Sequence, residues 1–321
     1  MTSTKTTDKL KNALRESVLF LLLIALIILF SLLTDKFFTQ VNLTNIIVQN
    51  VHVAVCSTAV MLLMVSGSID LSIGYQISTS AVLCTMMITI WGVSVWVSII
   101  CGIVLAVLFS AFNGIMSRIL KAHPMIITLG TMAIFQGISY LLSQSKTYFN
   151  LPYEYLFIGQ GRLGPVPVNA IIAFILIVLV GIVLSKTYLG RYVYAVGDNP
   201  TAAHLAGINV QRVKLLVFIA AGLMVGISAI LLSARNGSAD STTGLGIEFT
   251  GITACVLGGC SLKGGVGKLW KVIVAVFVLG VLSNGMQLIG LGVYPQYIAK
   301  GVIMLVSIGL NSRAGNTAMT I

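Results

Sequence analysis

One stretch has the outward form of a phosphate loop: residues 259–269, reading GCSLKGGVGKL. Phosphate-loop chemistry needs a glycine five residues ahead of the Gly-Lys pair, so that backbone N–H groups can wrap the phosphates. It also needs Ser or Thr after the lysine to reach Mg²⁺. Those two positions hold Leu262 and Leu269, so nucleotide is not held here by that route. The sequence has no H-E-x-x-H, no Gly-x-Ser-x-Gly and no carboxylate pair within one apolar run. Its five cysteines, Cys56, Cys84, Cys101, Cys255 and Cys260, have neither metal-ligand nor C-x-x-C spacing and read as small buried hydrophobes.

Ionisable groups inside apolar surroundings are few, and each has two readings. Asp70 lies in SGSIDLSIG between Gly67 and Gly74. A charge at membrane depth is costly and so marks function by default. The competing reading is a cap, in which the carboxylate accepts backbone N–H bonds at a helix start while the glycines allow a tight turn. Glu248 opens an apolar run and reads as a charge at a helix N-terminus rather than a proton relay. His52 is expected at a helix contact near the outer end of the second apolar run. A proton-driven carrier would carry more acidic or histidine residues in mid-run.

These residues must be positioned by membrane-spanning elements. Of the 321 residues, 57% are hydrophobic and only 8% charged, well outside the range of a soluble domain. Apolar runs at about 17–34, 45–65, 75–91, 95–117, 125–143, 166–185, 213–233, 248–259, 269–285 and 296–310 predict about ten transmembrane helices. The third and fourth are fused in hydropathy, and one helix from Tyr75 to Ser117 would be about 64 Å long, twice a bilayer. Trp91-Gly92-Val93-Ser94-Val95-Trp96 supplies the break. The eighth run is short and ends in glycines, as a broken or re-entrant helix would. The first run follows Lys5, Lys9, Lys11 and Arg15 but lacks a small-x-small cleavage site, and it is read as an uncleaved span.

The net charge of +11 does not point to nucleic acid, because the basic residues gather at the ends of apolar runs. With both termini cytoplasmic, fourteen of the 19 Lys and Arg residues fall on inside segments. Only Lys36, Lys146, Arg162 and Arg235 fall outside, with Lys300 near the outer end of the last run. The expected organisation is a cytoplasmic segment 1–16, one transmembrane domain 17–311 and a cytoplasmic tail 312–321. The longest outside segment, about 144–165, could meet an external partner.

The long polar interruption at 186–214, KTYLGRYVYAVGDNPTAAHLAGINVQRVK, falls on the cytoplasmic side. Within it Asn199 suits an N-cap, Pro200 the first helical position and Gly207 a left-handed stop, with Ala202 and Ala203 between. Two turns of helix are not stable alone in water. The expectation is therefore a short helix that docks on a partner protein at the membrane surface. Two glycine clusters, residues 65–74 and 257–267, also join consecutive spans on that side. They read equally as unwound backbone lining a gate or as close helix packing through small residues.

Taken in order, Phe37-Phe38-Thr39 with Asn42-Leu43-Thr44-Asn45-Ile46, Gly67 to Gly74, Ile127-Thr128-Leu129-Gly130-Thr131, Leu189 to Val210, Val256 to Gly267, and Asn284-Gly285 through Tyr297 to Lys300-Gly301 form a specific set. The chain resembles, over nearly its whole length, the permease subunits of bacterial ribose/xylose/arabinose/galactoside-type ABC importers. It departs from that pattern at Ser68, Asp198, His204 and Cys260. The resemblance implies an all-α polytopic bundle in the bacterial cytoplasmic (inner) membrane, of the type II-like importer kind. It implies a second permease chain, identical or paired, an extracytoplasmic sugar-binding protein, and a cytoplasmic ABC ATPase that binds the ATP and Mg²⁺ this chain does not. It also implies that Gly190, Arg191, Tyr194, Gly197, Asn199, Pro200, Ala202, Ala203, Leu205 and Gly207 form the segment that meets the ATPase. Gate or pathway candidates are Asp70, Ser72, Asn113, Thr128, Thr131, Gln136 and Asn284. Two other classes stay open at this point: an ATP-independent carrier or channel for a small polar solute, and a membrane-embedded enzyme, for which no convergent catalytic set is present.

Overall fold

A computed structural model describes residues 19–317 of the chain. The basic segment 1–16 lies outside the described residues, as do residues 318–321 of the expected tail. The spans are α1 (Leu19–Leu33), α2 (Gln40–Val65), α3 (Ile73–Thr89), α4 (Val95–Ile119) and α5 (Pro124–Ser143), then α7 (Val168–Lys186), α10 (Val210–Asn236), α11 (Ile247–Leu257), α12 (Leu269–Leu288) and α13 (Val293–Thr317). All ten expected runs are helical, and six of these helices are long and apolar enough to cross a membrane. The last helix continues through residues 312–317 of the expected tail. Three short helices lie outside the spans: α6 (Tyr153–Gln160), α8 (Tyr188–Asp198) and α9 (Pro200–Leu205). The strands β1 (Arg162–Leu163) and β2 (Val166–Pro167) pair antiparallel, with Arg162 opposite Pro167.

Burial divides the bundle into a centre and a periphery. In their most apolar stretches, 72% of α2 and 67% of α10 is buried, against 17% for α7 and 22% for α5. The peripheral helices turn side chains such as Leu141, Phe174 and Leu305 outward. Such surface is tolerable only against lipid or another apolar chain. The centre is closed by small residues. Gly222-x-x-x-Gly226 on α10 lies against α4, where an added Cβ would come within 2.8 Å of the Val107 and Ile103 Cα atoms. Dispersion over such close backbones holds helices together where lipid removes the hydrophobic drive.

Two interior helices fall short of a full crossing. At about 1.5 Å per residue, α3 spans about 25 Å and α11 about 16 Å of a core roughly 30 Å thick. Each is preceded by irregular chain that completes the crossing. Residues 66–72 continue from the end of α2, and residues 237–246 turn back into the bundle from the end of α10. Gly237 (φ +68°) ends α10, Asp240 organises the turn by accepting from Thr242 N–H and Oγ, and the Gly244 N–H donates to Ser78 Oγ of α3 at 2.9 Å. The short eighth helix thus has a physical cause: its first half is a re-entrant loop. The outside segment is also anchored, through Tyr155 Oη to Ser233 Oγ at 2.6 Å and a bridge between Tyr148 and Ala239.

Candidate functional site

The interrupted stretch 186–214 contains two helices rather than one. Thr187 caps α8 by accepting from the Gly190 N–H, and a Cβ at Gly190 would strike the Leu184 carbonyl, so α7 turns sharply into α8. The buried face of α8 is Gly190, Val193, Val196 and Gly197. A helical period links these positions, and it could have disclosed α8 in the sequence. Asn199 caps α9 through the Ala202 N–H at 2.9 Å, Pro200 takes the first turn, and Gly207 (φ +84°) stops it. Ala203 is buried against the bundle, whereas Ala202 and Leu205 are exposed, Leu205 at 83%. Arg191, also exposed, lies over the Tyr188 ring at 4.4 Å.

The end of α8 is fastened to both glycine clusters at once. Gly197 rests on the Val65 carbonyl at the end of α2, where a Cβ would collide with backbone. The same carbonyl accepts the Gly265 N–H at 2.9 Å. A Cβ at Gly264 would lie 2.6 Å from the Gly197 carbonyl oxygen and 2.9 Å from Gly67 Cα. Tyr194 donates its hydroxyl to the Gly267 carbonyl at 2.9 Å, and burial raises its pKa, keeping it a donor. Gly67, Gly197, Gly264 and Gly265 therefore form one joint of nearly bare backbone between α8 and the two interrupted crossings.

Above this joint the structure gathers Asp70, Ser72, Asn113 and Thr128 into one cluster, with Gln76 added. Asp70 Oδ1 accepts from Ser72 N–H (2.8 Å) and Oγ (2.6 Å), and Oδ2 accepts from Gln76 and Asn113 amides at 2.9 Å each. Thr128 Oγ accepts from the Leu71 N–H and donates to the Ile69 carbonyl, tying the loop to α5. All five side chains are at most 2% exposed. Asp70 thus fastens the turn just ahead of α3, accepting the N–H of Ser72, the residue before the helix, and leaves the N–H groups of its first turn uncapped by any side chain. Gln76 was not singled out in the sequence, although Ser72 and Gln76 are a helical i, i+4 pair.

The other three candidates lie elsewhere. Thr131 bonds back to the Thr128 carbonyl within α5, and Gln136 lies beside the Tyr75 hydroxyl of α3. Asn284 and Asn42 exchange amide hydrogen bonds at 2.9 Å in both directions, joining α12 to α2. The starts of the two half-helices meet: the Glu248 carboxylate packs against Gly74, its Oε1 accepts the Gly246 N–H, and Gly244 sits on the Gly74 carbonyl. His52 contacts α10, its carbonyl accepting from Ser228, but α2 starts at Gln40, so His52 lies about 18 Å along the helix rather than near its outer end. Thr39, which caps α2 by accepting from the Asn42 N–H, is the residue that moves that start.

Comparison with known proteins agrees with this architecture. The family described as branched-chain amino acid transport system, permease component, matches residues 42–309. The ribose import permease protein RbsC of Bacillus subtilis (strain 168) is 33% identical over 92% of this chain and 92% of its own. The L-arabinose transport system permease protein AraH of Escherichia coli (strain K12) is 33% identical over 76% of this chain and 74% of its own. The D-allose transport system permease protein AlsC of the same organism is 29% identical over 91% and 90%. No solved structure matches. The chain belongs to this family of transport-system permease components: it is a multi-pass membrane transport subunit and not an enzyme.

Proposed function

We propose that this chain is the permease of an ATP-binding cassette importer that carries a pentose, hexose or related polyol-like solute inward. Ribose, arabinose and allose name the relatives, and the reading extends that substrate class to this chain. A cytoplasmic ATPase supplies the energy, an extracytoplasmic sugar-binding protein delivers the solute, and a second permease chain completes the pathway.

The observation that carries the proposal is the fastening of α8 and α9. A six-residue helix with a leucine 83% exposed is a poor element in water and a good one in a partner's groove. Beside it a cleft of about 650 Å³, lined by Arg118, His204 and Gln211, offers room for such a partner. In this reading α9 and the exposed side of α8 receive the motion of the ATPase. The joint at Gly197 passes it to both glycine loops, because backbone packed on backbone leaves no side chain to absorb displacement. One loop then shifts the start of α3 and the other the end of α11, so that the two half-helices move against each other. Asp70, Ser72, Asn113 and Thr128 serve as the rigid mount for α3, so that it moves as a body.

Sealed membrane vesicles test the energy source. Uptake should persist when the proton gradient is collapsed and stop when internal ATP is removed; the opposite result would favour an ATP-independent carrier.

A further inference from the structure

A second polar site lies at the end of the bundle opposite the basic loops. It is a cleft of about 280 Å³ walled by α2, α12 and α13, with Leu245 and Gly246 of the re-entrant segment and Ile247 at the start of α11 in its lining. At about 30 Å³ per water this is the space of roughly nine waters, or of one small solute. Asn50 and His52 line it from α2, Gln287 from α12, Lys300 from α13 and Arg235 from the end of α10. Since His52 lies about 18 Å along α2, the cleft reaches roughly half the depth of the bilayer.

Unpaired buried atoms occur around Asp70 too, at Gln76 Oε1 and Asn113 Oδ1, but here they belong to residues that line open space. On the residues lining the cleft, His52 Nδ1 and Ser283 Oγ have no hydrogen-bond partner, although His52 is only 7% exposed. Buried polar groups are normally paired, so two unpaired groups on residues lining one cleft point to a partner that comes and goes. The donor set defines that partner. The amides of Asn50 and Gln287 each offer a donor and an acceptor, as each hydroxyl of a polyol requires. Arg235 and Lys300 supply further donors, and no carboxylate lines the cleft among the described residues. A cationic solute would be repelled, and an apolar one would leave the amides unpaired. Just beyond residues 245–247, Gly244, Gly74 and Glu248 bring the two half-helices into contact.

We propose that this cleft is a solute-binding station, open to the outside, for a polyhydroxylated molecule of monosaccharide size bearing no positive charge, and that the contact of α3 with α11 is the closed gate beneath it. The inference rests on the importer reading and locates its solute site.

The test uses cells carrying the complete importer with its ATPase and binding protein. Uptake of labelled pentoses and hexoses first identifies the transported sugar; no uptake of any sugar overturns the importer reading and this inference with it. Ser283→Cys and Gln287→Cys are then treated from outside with a membrane-impermeant maleimide, against the unmodified chain and Leu305→Cys on the lipid-facing side as controls. The expected result is labelling of both cleft cysteines, slowing of that labelling by the transported sugar, and a loss of uptake of about tenfold or more, enough to read as a block. Gln287→Ala, at an exposed position where folding is undisturbed, should slow uptake about fivefold at saturating binding protein, the effect of one hydrogen bond. Cysteines unreachable from outside in a transporting variant, or full uptake after complete labelling, would overturn the site. Labelling that the sugar does not slow reduces the cleft to a passive vestibule and overturns it as a binding site.

Discussion

The Asp70 cluster and the outer cleft both place polar side chains at membrane depth, and they are built on opposite plans. Around Asp70 each carboxylate oxygen accepts two hydrogen bonds, and every member is at most 2% exposed. Both regions keep unpaired atoms, Gln76 Oε1 and Asn113 Oδ1 in the first and His52 Nδ1 and Ser283 Oγ in the second, but the cleft adjoins open space and Gln287 and Tyr297 in it are exposed. A polar network packed on every side fixes one geometry, whereas polar groups beside open space gain by meeting a solute. The residue type at membrane depth does not distinguish a mount from a pathway. The open space beside it does.

The contrast can be broken first at its strongest point. Asp70→Ala removes four hydrogen bonds and leaves one N–H of each of the Gln76 and Asn113 amides buried without its acceptor, Ser72 Oγ still taking the other, which should cost about 3 kcal/mol or more. Thermal unfolding of the purified permease in detergent would read this as a large drop. A variant that keeps its stability and loses only uptake would move Asp70 to the pathway side. Gly197→Ala forces a methyl group into the Val65 carbonyl, and backbone on both sides prevents relief, so the cost should be about 1–3 kcal/mol. Uptake should fall further than that loss alone predicts, because the joint itself is displaced.

Smaller effects sharpen the same division. Gly207→Val imposes a β-branched side chain at φ +84° but meets no neighbour within 4 Å. The permease should lose about 1–2 kcal/mol of local stability, stay folded, and co-purify less ATPase. Undiminished association and uptake would remove α9 from the docking surface. Tyr194→Phe deletes one bond to Gly267, worth about 1 kcal/mol, and should loosen coupling between ATP hydrolysis and uptake more than it lowers the unfolding temperature. Gln287→Ala in the cleft should shift stability by no more than about 0.5 kcal/mol while slowing transport. An equal loss of both would place Gln287 with the structural residues.

Much of this was readable in the chain itself. Apolar length located ten helices, and Trp91 to Trp96 marked the break between α3 and α4, where Gly92 does take a positive φ. Asn199, Pro200 and Gly207 bounded α9 because capping chemistry is local. The start of α2 was placed late because Thr39 was not taken as its cap. As a result His52 was assigned to the wrong depth. Helix α8 was taken as a mere polar gap, although Gly190, Val193, Val196 and Gly197 recur with a helical period. The same holds for Gly222-x-x-x-Gly226, a readable packing face that draws no notice beside longer apolar runs.

What the sequence determined by itself is what depends on neighbours along the chain: how many apolar runs there are, where they stop, which side carries the basic loops, and how a two-turn helix is capped. The tertiary structure decided everything that required residues far apart to meet. The two glycine clusters were equally compatible with a gate or with packing until Val65, Gly197 and Gly265 were seen to share one joint. Asp70 had two readings until Asn113, 43 positions away, was found donating to it. Asn284 is paired with Asn42 across 242 positions, and no local pattern encodes that partnership. Within a bilayer, local apolarity fixes whether a segment crosses, but every crossing helix looks alike to lipid. Which faces close on each other, and which polar groups stay free for a solute, is set only by the packing of the whole bundle.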